Sequence, residues 1–360
     1  HIGVQPESAF LRQPLQWYIH EGLQFQTASL PAPWHLLVGI LRAKNLSFSL
    51  RIKLLSDMSA LQRWAGHHKT DLTVAKWLRT RNVPRSLLGQ FWQPLVWGAL
   101  NTPLEQASLR ILCNVLNDGV WSEKANSDYL LPKQDLGRIV AEPALDFLHK
   151  HGAKIHLETR VSDLNHHIDG RIEINGEVFD AVILAVAPYH VDALLPEDTP
   201  DYIQTAYQSL HYHAITTVYL RYAQAVKLPV PLTGFADGTA QWVLHRGALG
   251  LPDNEVAVVI SVSDYVEAWK DKDLAEKIHA DIKRICPDLD KPEAVRIITE
   301  KRATTEATVD FVQPGFSWLH HRRIYPAGDY LHPRYPATLE AAVQSGFAAA
   351  EKLMLDLRFE

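Results

Sequence analysis

Apolar positions recur at helical spacing through the first third of the chain and change to alternating, then continuous, runs further on. Ahead of this region, Leu23, Phe25 and Ala28 around Gln24 and Gln26 suggest a short strand. Behind Pro33, residues Trp34, Leu37, Val38 and Leu41 predict a helix, with the proline suited to a first helical position. A second helix is expected over 50–64. Asp71 offers an N-cap to a segment carrying Val74, Trp77 and Leu78 that ends near Asn82. Pro84 opens the clearest helix, with a double stripe of Leu87, Leu88, Phe91, Trp92, Leu95, Val96, Ala99 and Leu100. Pro94 lies inside it, so the amide bond to Gln90 is lost and a kink is expected. Thr102 with Glu105 reads as a capping box for a helix carrying Leu104, Ala107, Ile111, Leu112, Val115 and Leu116.

The pattern then changes. Leu136, Ile139, Val140, Ala144, Phe147 and Leu148 mark a helix bent at Pro143, with Gly152 just past its end. Residues 154–157 alternate as a strand, and Val161 begins another. Asp169-Gly170 and Asn175-Gly176, flanked by Ile168, Ile172, Ile174 and Val178, predict a small antiparallel meander. The continuously apolar run 181–187, closed by Pro188, reads as a parallel strand buried on both faces. Strands are expected over 215–222, 242–244, 256–262 and 295–298, with a helix over 274–285. The last forty residues run from Arg323-Ile324-Tyr325-Pro326-Ala327 into Gly328-Asp329, a proline-bearing loop, and a strongly periodic helix through Leu339, Val343, Phe347 and Leu353.

Composition narrows the function classes. A chain of 360 residues with 47% apolar and 21% charged residues is globular and long enough for about two domains. Its net charge of −5 gives no basic field for nucleic acid. Two cysteines, Cys113 and Cys286, suit a reducing compartment, and no apolar run has the length of a membrane-spanning helix. Among 18 histidines, His211 and His213 could share a strand face, but no nearby ligand completes a metal set, so none is expected. No Gly-x-Ser-x-Gly elbow supports hydrolase chemistry.

The ending carries the best candidate chemistry. A strand, Gly-Asp, a turn and a helix N-terminus together make a good anion site. Gly328 admits close backbone approach, and Asp329 could accept hydrogen bonds from ligand hydroxyls. The amides at 337–339 carry the positive end of the helix dipole, and Ala341, Ala342, Ser345 and Gly346 allow tight packing. A plain strand-turn-helix connection would show the same features. The stripe over 87–100 reads first as core, with lining of a greasy pocket or contact with a membrane surface as the sharper alternative.

Ala327-Gly328-Asp329-Tyr330, followed by Tyr335-Pro336-Ala337-Thr338-Leu339-Glu340-Ala341-Ala342-Val343-Gln344-Ser345-Gly346, resembles the C-terminal FAD motif of the flavin amine oxidase and phytoene desaturase superfamily. Leu131-Pro132-Lys133-Gln134-Asp135-Leu136, Gly152-Ala153-Lys154 and Thr159-Arg160-Val161 are similar to the segment where these enzymes re-enter the FAD domain. Phe91-Trp92-Gln93-Pro94-Leu95, Ala99-Leu100-Asn101-Thr102-Pro103, Gln106-Ala107-Ser108 and Val115-Leu116 resemble the squalene-associated FAD-dependent desaturases, which include the hydroxysqualene dehydroxylases of hopanoid and squalene synthesis.

The resemblance implies an α/β plus α+β architecture: a discontinuous FAD-binding nucleotide fold with an inserted helical and sheet substrate domain. The expected segments are 1–127 (helical substrate or cap part), 128–197 (FAD-binding domain with β-meander), 198–300 (substrate-domain sheet and helix) and 301–360 (C-terminal FAD-binding segment). It implies FAD as cofactor, held by Val161, Ala185, Gly328, Asp329, Ala337, Thr338 and Leu339, with no catalytic residue assigned. It further implies reductive dehydroxylation of hydroxysqualene in a long apolar pocket, and a cytoplasmic protein lying peripherally at the inner membrane, with its oligomeric state open. A carotenoid-type desaturase, a flavin amine oxidase and a non-catalytic fragment lacking cofactor remain alternatives. The superfamily's Gly-x-Gly-x-x-Gly turn occurs nowhere in the sequence, so the first βαβ unit is expected to be missing, its fingerprint upstream of His1.

Overall fold

The computed structural model of the chain describes residues 2–67, 70–167, 170–309, 311 and 316–358. The chain divides into two compact units, His1–Ile155 with His213–Ala303, and His156–Tyr212 with Thr304–Glu360.

The first unit is built on a five-stranded sheet in the order Leu232–Gly234, Trp242–His245, Glu255–Ile260, Tyr212–Arg221, Ala294–Thr305. Alternate residues Val218, Leu220, Val256, Val258 and Ile260 point to one face. There they meet Leu274, Ile278 and Ile282, spaced at four residues on the helix Leu274–Ile285. A period of two thus meets a period of about 3.6 in one core.

Helices form the rest of this unit, and several depart from the sequence expectation. The helix Trp34–Leu41 buries His35, Leu36, Gly39 and Ile40 and leaves Trp34 exposed, so its inner face is offset from the stripe read in the sequence. The helix Val74–Thr80 is capped by Thr73, whose hydroxyl accepts from the Lys76 amide, and not by Asp71. Asp71 instead accepts from the amides of Leu72 and Arg110 and from the Ser108 hydroxyl. Thr102 builds no capping box. Its hydroxyl donates to the Leu100 carbonyl, and the next helix, Leu109–Leu116, starts later with Ser108 accepting from the Ile111 amide.

Pro94 removes the amide bond to Gln90 as expected. A π-helical turn, Leu88–Trp92, precedes the helix Gln93–Leu100. The Gln90 carbonyl, which a residue 94 amide would have bonded, accepts from the Trp17 indole N–H at 2.9 Å. Leu87, Phe91, Trp92, Val96 and Leu100 are buried, so most of this stripe is core and not a membrane-facing surface. Another π-helical turn, Gly137–Ala141, precedes the Pro143-bearing helix Glu142–Lys150.

The second unit carries the meander Leu164–His166, Ile172–Ile174 and Glu177–Phe179, all antiparallel. Asn175 (φ 48°) and Gly176 (φ 84°) form the two-residue turn that their residue types predict. Ile168 and Asp169, which belong to the other predicted turn signal, lie outside the described residues. Residues 154–157 are not a strand: nearly all are exposed, and alternation without a partner strand gives no ladder. Val161 likewise lies in coil ahead of Leu164.

The strand Val182–Leu184 pairs in parallel with Ile324–Pro326, matching Leu184 to Pro326. Leu184 and Ile324 enter a core with Ile172, Ile203, Tyr207 and Leu319. Tyr325 is covered from the other side by the helix Leu339–Arg358 through Ala349, yet Ile183 beside it is 39% exposed. The run read as buried on both faces is therefore only partly covered on its outer face among the described residues.

Candidate functional site

The parallel strand pair positions most of the residues expected to bind cofactor. The Ala327 amide donates to the Leu184 carbonyl at 3.0 Å, so the two strands end side by side, with Ala185 following one and Gly328-Asp329 the other. Open α/β folds bind ligands at such carboxyl ends of parallel strands. Gly328 is fitted tightly: a Cβ there would lie 2.3 Å from Cε1 of the Tyr330 ring. Its amide donates to the Ser345 hydroxyl at 3.0 Å, which pins the turn to the long helix.

Asp329 is half-buried, and its Oδ1 accepts from the Tyr330 amide at 2.8 Å. Burial pushes its carboxyl above the ordinary carboxylate range despite that bond. The helix Leu339–Arg358 is capped by Thr338, whose hydroxyl accepts from the Ala341 amide at 3.2 Å. His332 closes the intervening loop, with Nε2 in hydrogen-bond contact with Gln344 Oε1 at 2.8 Å and its ring stacked on Tyr335. Ala337 and Thr338 are half-buried, while Leu339 is exposed. Ala185, Gly328 and Asp329 are thus adjacent, and Ala337, Thr338 and Leu339 form the start of the helix docked on them. Val161 stands apart. Its neighbours are tied to the meander, with Asn175 Nδ2 donating to the Arg160 carbonyl and Asn175 Oδ1 accepting from the Ser162 and Asp163 amides.

These residues fit one end of a flavin dinucleotide. A desolvated carboxylate gains from hydroxyl donors such as those of a ribose or ribityl chain. A helix N-terminus suits an anionic part of the ligand. Sequence reasoning missed the Ser345 bond to Gly328, although the small residue two turns into the helix was its signal.

In the first unit a cavity of about 670 Å³ is lined by Pro94 and Trp97 from the helix Gln93–Leu100, by Trp242 and Ile260 from the sheet, and by Phe235 just past the strand Leu232–Gly234. Helical part and sheet both contribute to it. The cavity is not uniformly apolar, however, because Asp237, Glu267, Lys270 and Asp271 also line it. Asp237 pairs with Arg284 and Asp271 with Lys277, which neutralises two of these charges.

A parallel strand pair ending in Gly-Asp against a capped helix defines a nucleotide-cofactor fold, and the comparisons with known proteins specify it. The chain matches the flavin containing amine oxidoreductase family over residues 18–354 and belongs to that family. It is an FAD-dependent oxidoreductase. It is 25% identical to the hydroxysqualene dehydroxylase of Zymomonas mobilis over 89% of this chain and 73% of that protein. It is 28% identical to the hydroxysqualene dehydroxylase of Rhodopseudomonas palustris over 76% of this chain and 64% of that protein. The chain thus spans roughly two thirds of the length of these relatives. Among solved structures, the cyclohexylamine oxidase of Brevibacterium oxydans superposes with a TM-score of 0.66 at 14% identity, covering 99% of this chain and 84% of that one. Reduced UDP-galactopyranose mutase superposes with a TM-score of 0.61 at 14% identity, covering 98% and 80%. At such identities the likeness is one of fold, and it agrees with the α/β plus α+β architecture.

Proposed function

We propose that this oxidoreductase acts on a long isoprenoid alcohol and reductively removes the hydroxyl of hydroxysqualene to give squalene, a step of squalene and hopanoid synthesis. The observation that carries this reading is the similarity to curated hydroxysqualene dehydroxylases over most of the chain. In the 670 Å³ cavity, Trp97, Trp242, Phe235 and Ile260 offer apolar walls to a hydrocarbon chain beside the charged Asp237, Glu267, Lys270 and Asp271.

In this reading Ala185, Gly328, Asp329, Ala337, Thr338 and Leu339 hold the FAD, with Val161 contributing from the meander side. Asp329 accepts from sugar hydroxyls, and the helix start at Thr338 favours negative charge. Reduced flavin supplies a hydride. The remaining steps fall to the protein, which must orient the chain, exclude water and deliver a proton to the departing oxygen. The segments 1–127 and 198–300 serve the substrate, and 128–197 and 301–360 serve the cofactor. The substrate class implies work at a membrane surface.

Product analysis tests the reading. Flavin-loaded protein given a reductant and hydroxysqualene should yield squalene. Conversion of a phytoene-type polyene or of an amine, with no squalene formed, would replace the reading with one of its rivals.

A further inference from the structure

A further cavity in the first unit, of about 500 Å³, lies where the strand Tyr212–Arg221 ends and the strands Glu255–Ile260 and Ala294–Thr305 begin. The 670 Å³ cavity touches the opposite end of the sheet, through Trp242 and Ile260, so the two are separate. Tyr219 and Arg221 alternate with the core residues Val218 and Leu220, which turns their side chains to the sheet face away from the helix Leu274–Ile285. Glu255 stands opposite Arg221 in register, and Arg246 follows the neighbouring strand Trp242–His245. Arg296 comes from the edge strand Ala294–Thr305, tied alongside by the Glu293 amide donating to the Arg221 carbonyl at 2.8 Å. The sheet thus brings three arginines from separate strands to one cavity, against a single carboxylate.

Arg246 is the fixed member of the three. Its guanidinium carbon lies 5.4 Å from the centre of the Tyr219 ring, and its Nε lies 3.2 Å from Glu255 Oε2, an ion pair whose angle falls short of a hydrogen bond. Arg221 and Arg296 are exposed, and among the described residues neither guanidinium has an ion-pair partner. Three positive charges less the one of Glu255 leave a local excess of two, although the whole chain carries −5. Guanidinium forks match the paired oxygens of a phosphate, and their weak hydration suits a boundary poor in water. Val295 and Ile298 also line the cavity and are 45% and 44% exposed. Cations beside exposed apolar side chains suit an anion carried on a hydrocarbon better than a free one.

We infer that Arg221, Arg246 and Arg296 bind the phosphate of an anionic phospholipid headgroup, with Val295 and Ile298 set into the acyl boundary beside it. Arg246, stacked and paired, supplies the preset fork, and Arg221 and Arg296 supply the adjustable charge. The anion site rests on the arginines. The choice of a lipid over a free phosphate rests also on the proposed isoprenoid reaction, whose substrate is held in a bilayer.

The test sediments the full chain with vesicles of phosphatidylcholine alone or of phosphatidylcholine with phosphatidylglycerol. Wild type should favour the vesicles that contain phosphatidylglycerol. Arg221→Gln combined with Arg296→Gln should weaken that binding by roughly 10–30-fold, at about fivefold for each arginine near an anionic surface. Both positions are exposed, and an unchanged melting temperature shows that the variant is folded. Lys76→Gln combined with Arg85→Gln removes the same charge from exposed positions elsewhere in the unit and should leave binding near wild type. Equal binding to both kinds of vesicle, no loss in the arginine variant, or an equal loss in the control variant would overturn the inference. So would calorimetric binding of inorganic phosphate that the arginine variant loses, with no vesicle binding by wild type, since the site would then take a free anion. None of these readouts uses turnover, so a failure here leaves squalene formation untouched, and a protein that makes no squalene can still show the lipid site.

Discussion

Trp17 shows how one side chain repairs what another breaks. Pro94 removes the donor that would have satisfied the Gln90 carbonyl, and the Trp17 indole supplies a replacement at 2.9 Å from an adjacent strand. Trp17→Phe keeps the ring packing on Phe25 and Phe91 but orphans that carbonyl. It should cost about 1–3 kcal/mol, read as a lowered denaturant midpoint with an unchanged slope. Asp264 carries a pH signature. Burial works to raise its carboxyl, but the Ala214 amide and His213 outweigh burial and hold it below the ordinary carboxylate range. A carboxyl lowered on folding contributes stability that is present above its unfolded value and lost as pH falls through its folded value. Asp264→Asn should therefore flatten the acid limb of a stability-against-pH curve, and an unchanged limb would show that other groups set it. The thiols differ as well. Burial pushes Cys113 up to about 12, whereas Cys286 is half-buried. A thiol reagent at neutral pH should modify Cys286 readily and Cys113 only on unfolding.

At the scale of elements, the strand-turn-helix at 324–358 depends on a missing side chain. Gly328→Ala places a methyl against the Tyr330 ring and should displace the turn that carries Asp329. The expected result is a lower flavin-to-protein absorbance ratio, and full loading would contradict the assignment of this turn to the cofactor. In the first unit, the fully buried Asp57 joins two helices by accepting from Lys53 Nζ at 2.6 Å and Arg81 Nε at 3.0 Å. Asp57→Ala should destabilise that unit by about 2–3 kcal/mol, since the cations left behind are partly solvated. Elements were legible in the sequence where residue chemistry acts locally. Asn175-Gly176 specifies its own turn, and the helix Leu274–Ile285 shows its stripe directly. They were misread where a side chain had a tertiary use, as when Asp71 and Thr102 bond elsewhere and leave capping to Thr73 and Ser108. The Gly-Asp motif was legible because it is contiguous. The contacts of the His213 ring with Asp264 and Gln106 were not, because Gln106, His213 and Asp264 are separated by 107 and 51 positions and only the fold brings them together.

At the scale of the molecule, family membership gives the cofactor and the class of reaction, and the chain's own residues must supply substrate choice and the proton. No helix among the described residues is long and apolar enough to cross a membrane. If the substrate is an isoprenoid held in a bilayer, the protein should co-sediment with lipid vesicles at low salt, and complete retention in the supernatant would argue for a water-soluble substrate. The central claim is that a reduced flavin in this protein gives up its electrons to hydroxysqualene. It is tested most directly by reducing the flavin-loaded protein anaerobically, adding hydroxysqualene alone, and following flavin absorbance. The account predicts that the yellow oxidised spectrum returns in step with squalene formation. A flavin that stays bleached with the alcohol, yet reoxidises once oxygen is admitted, would contradict it.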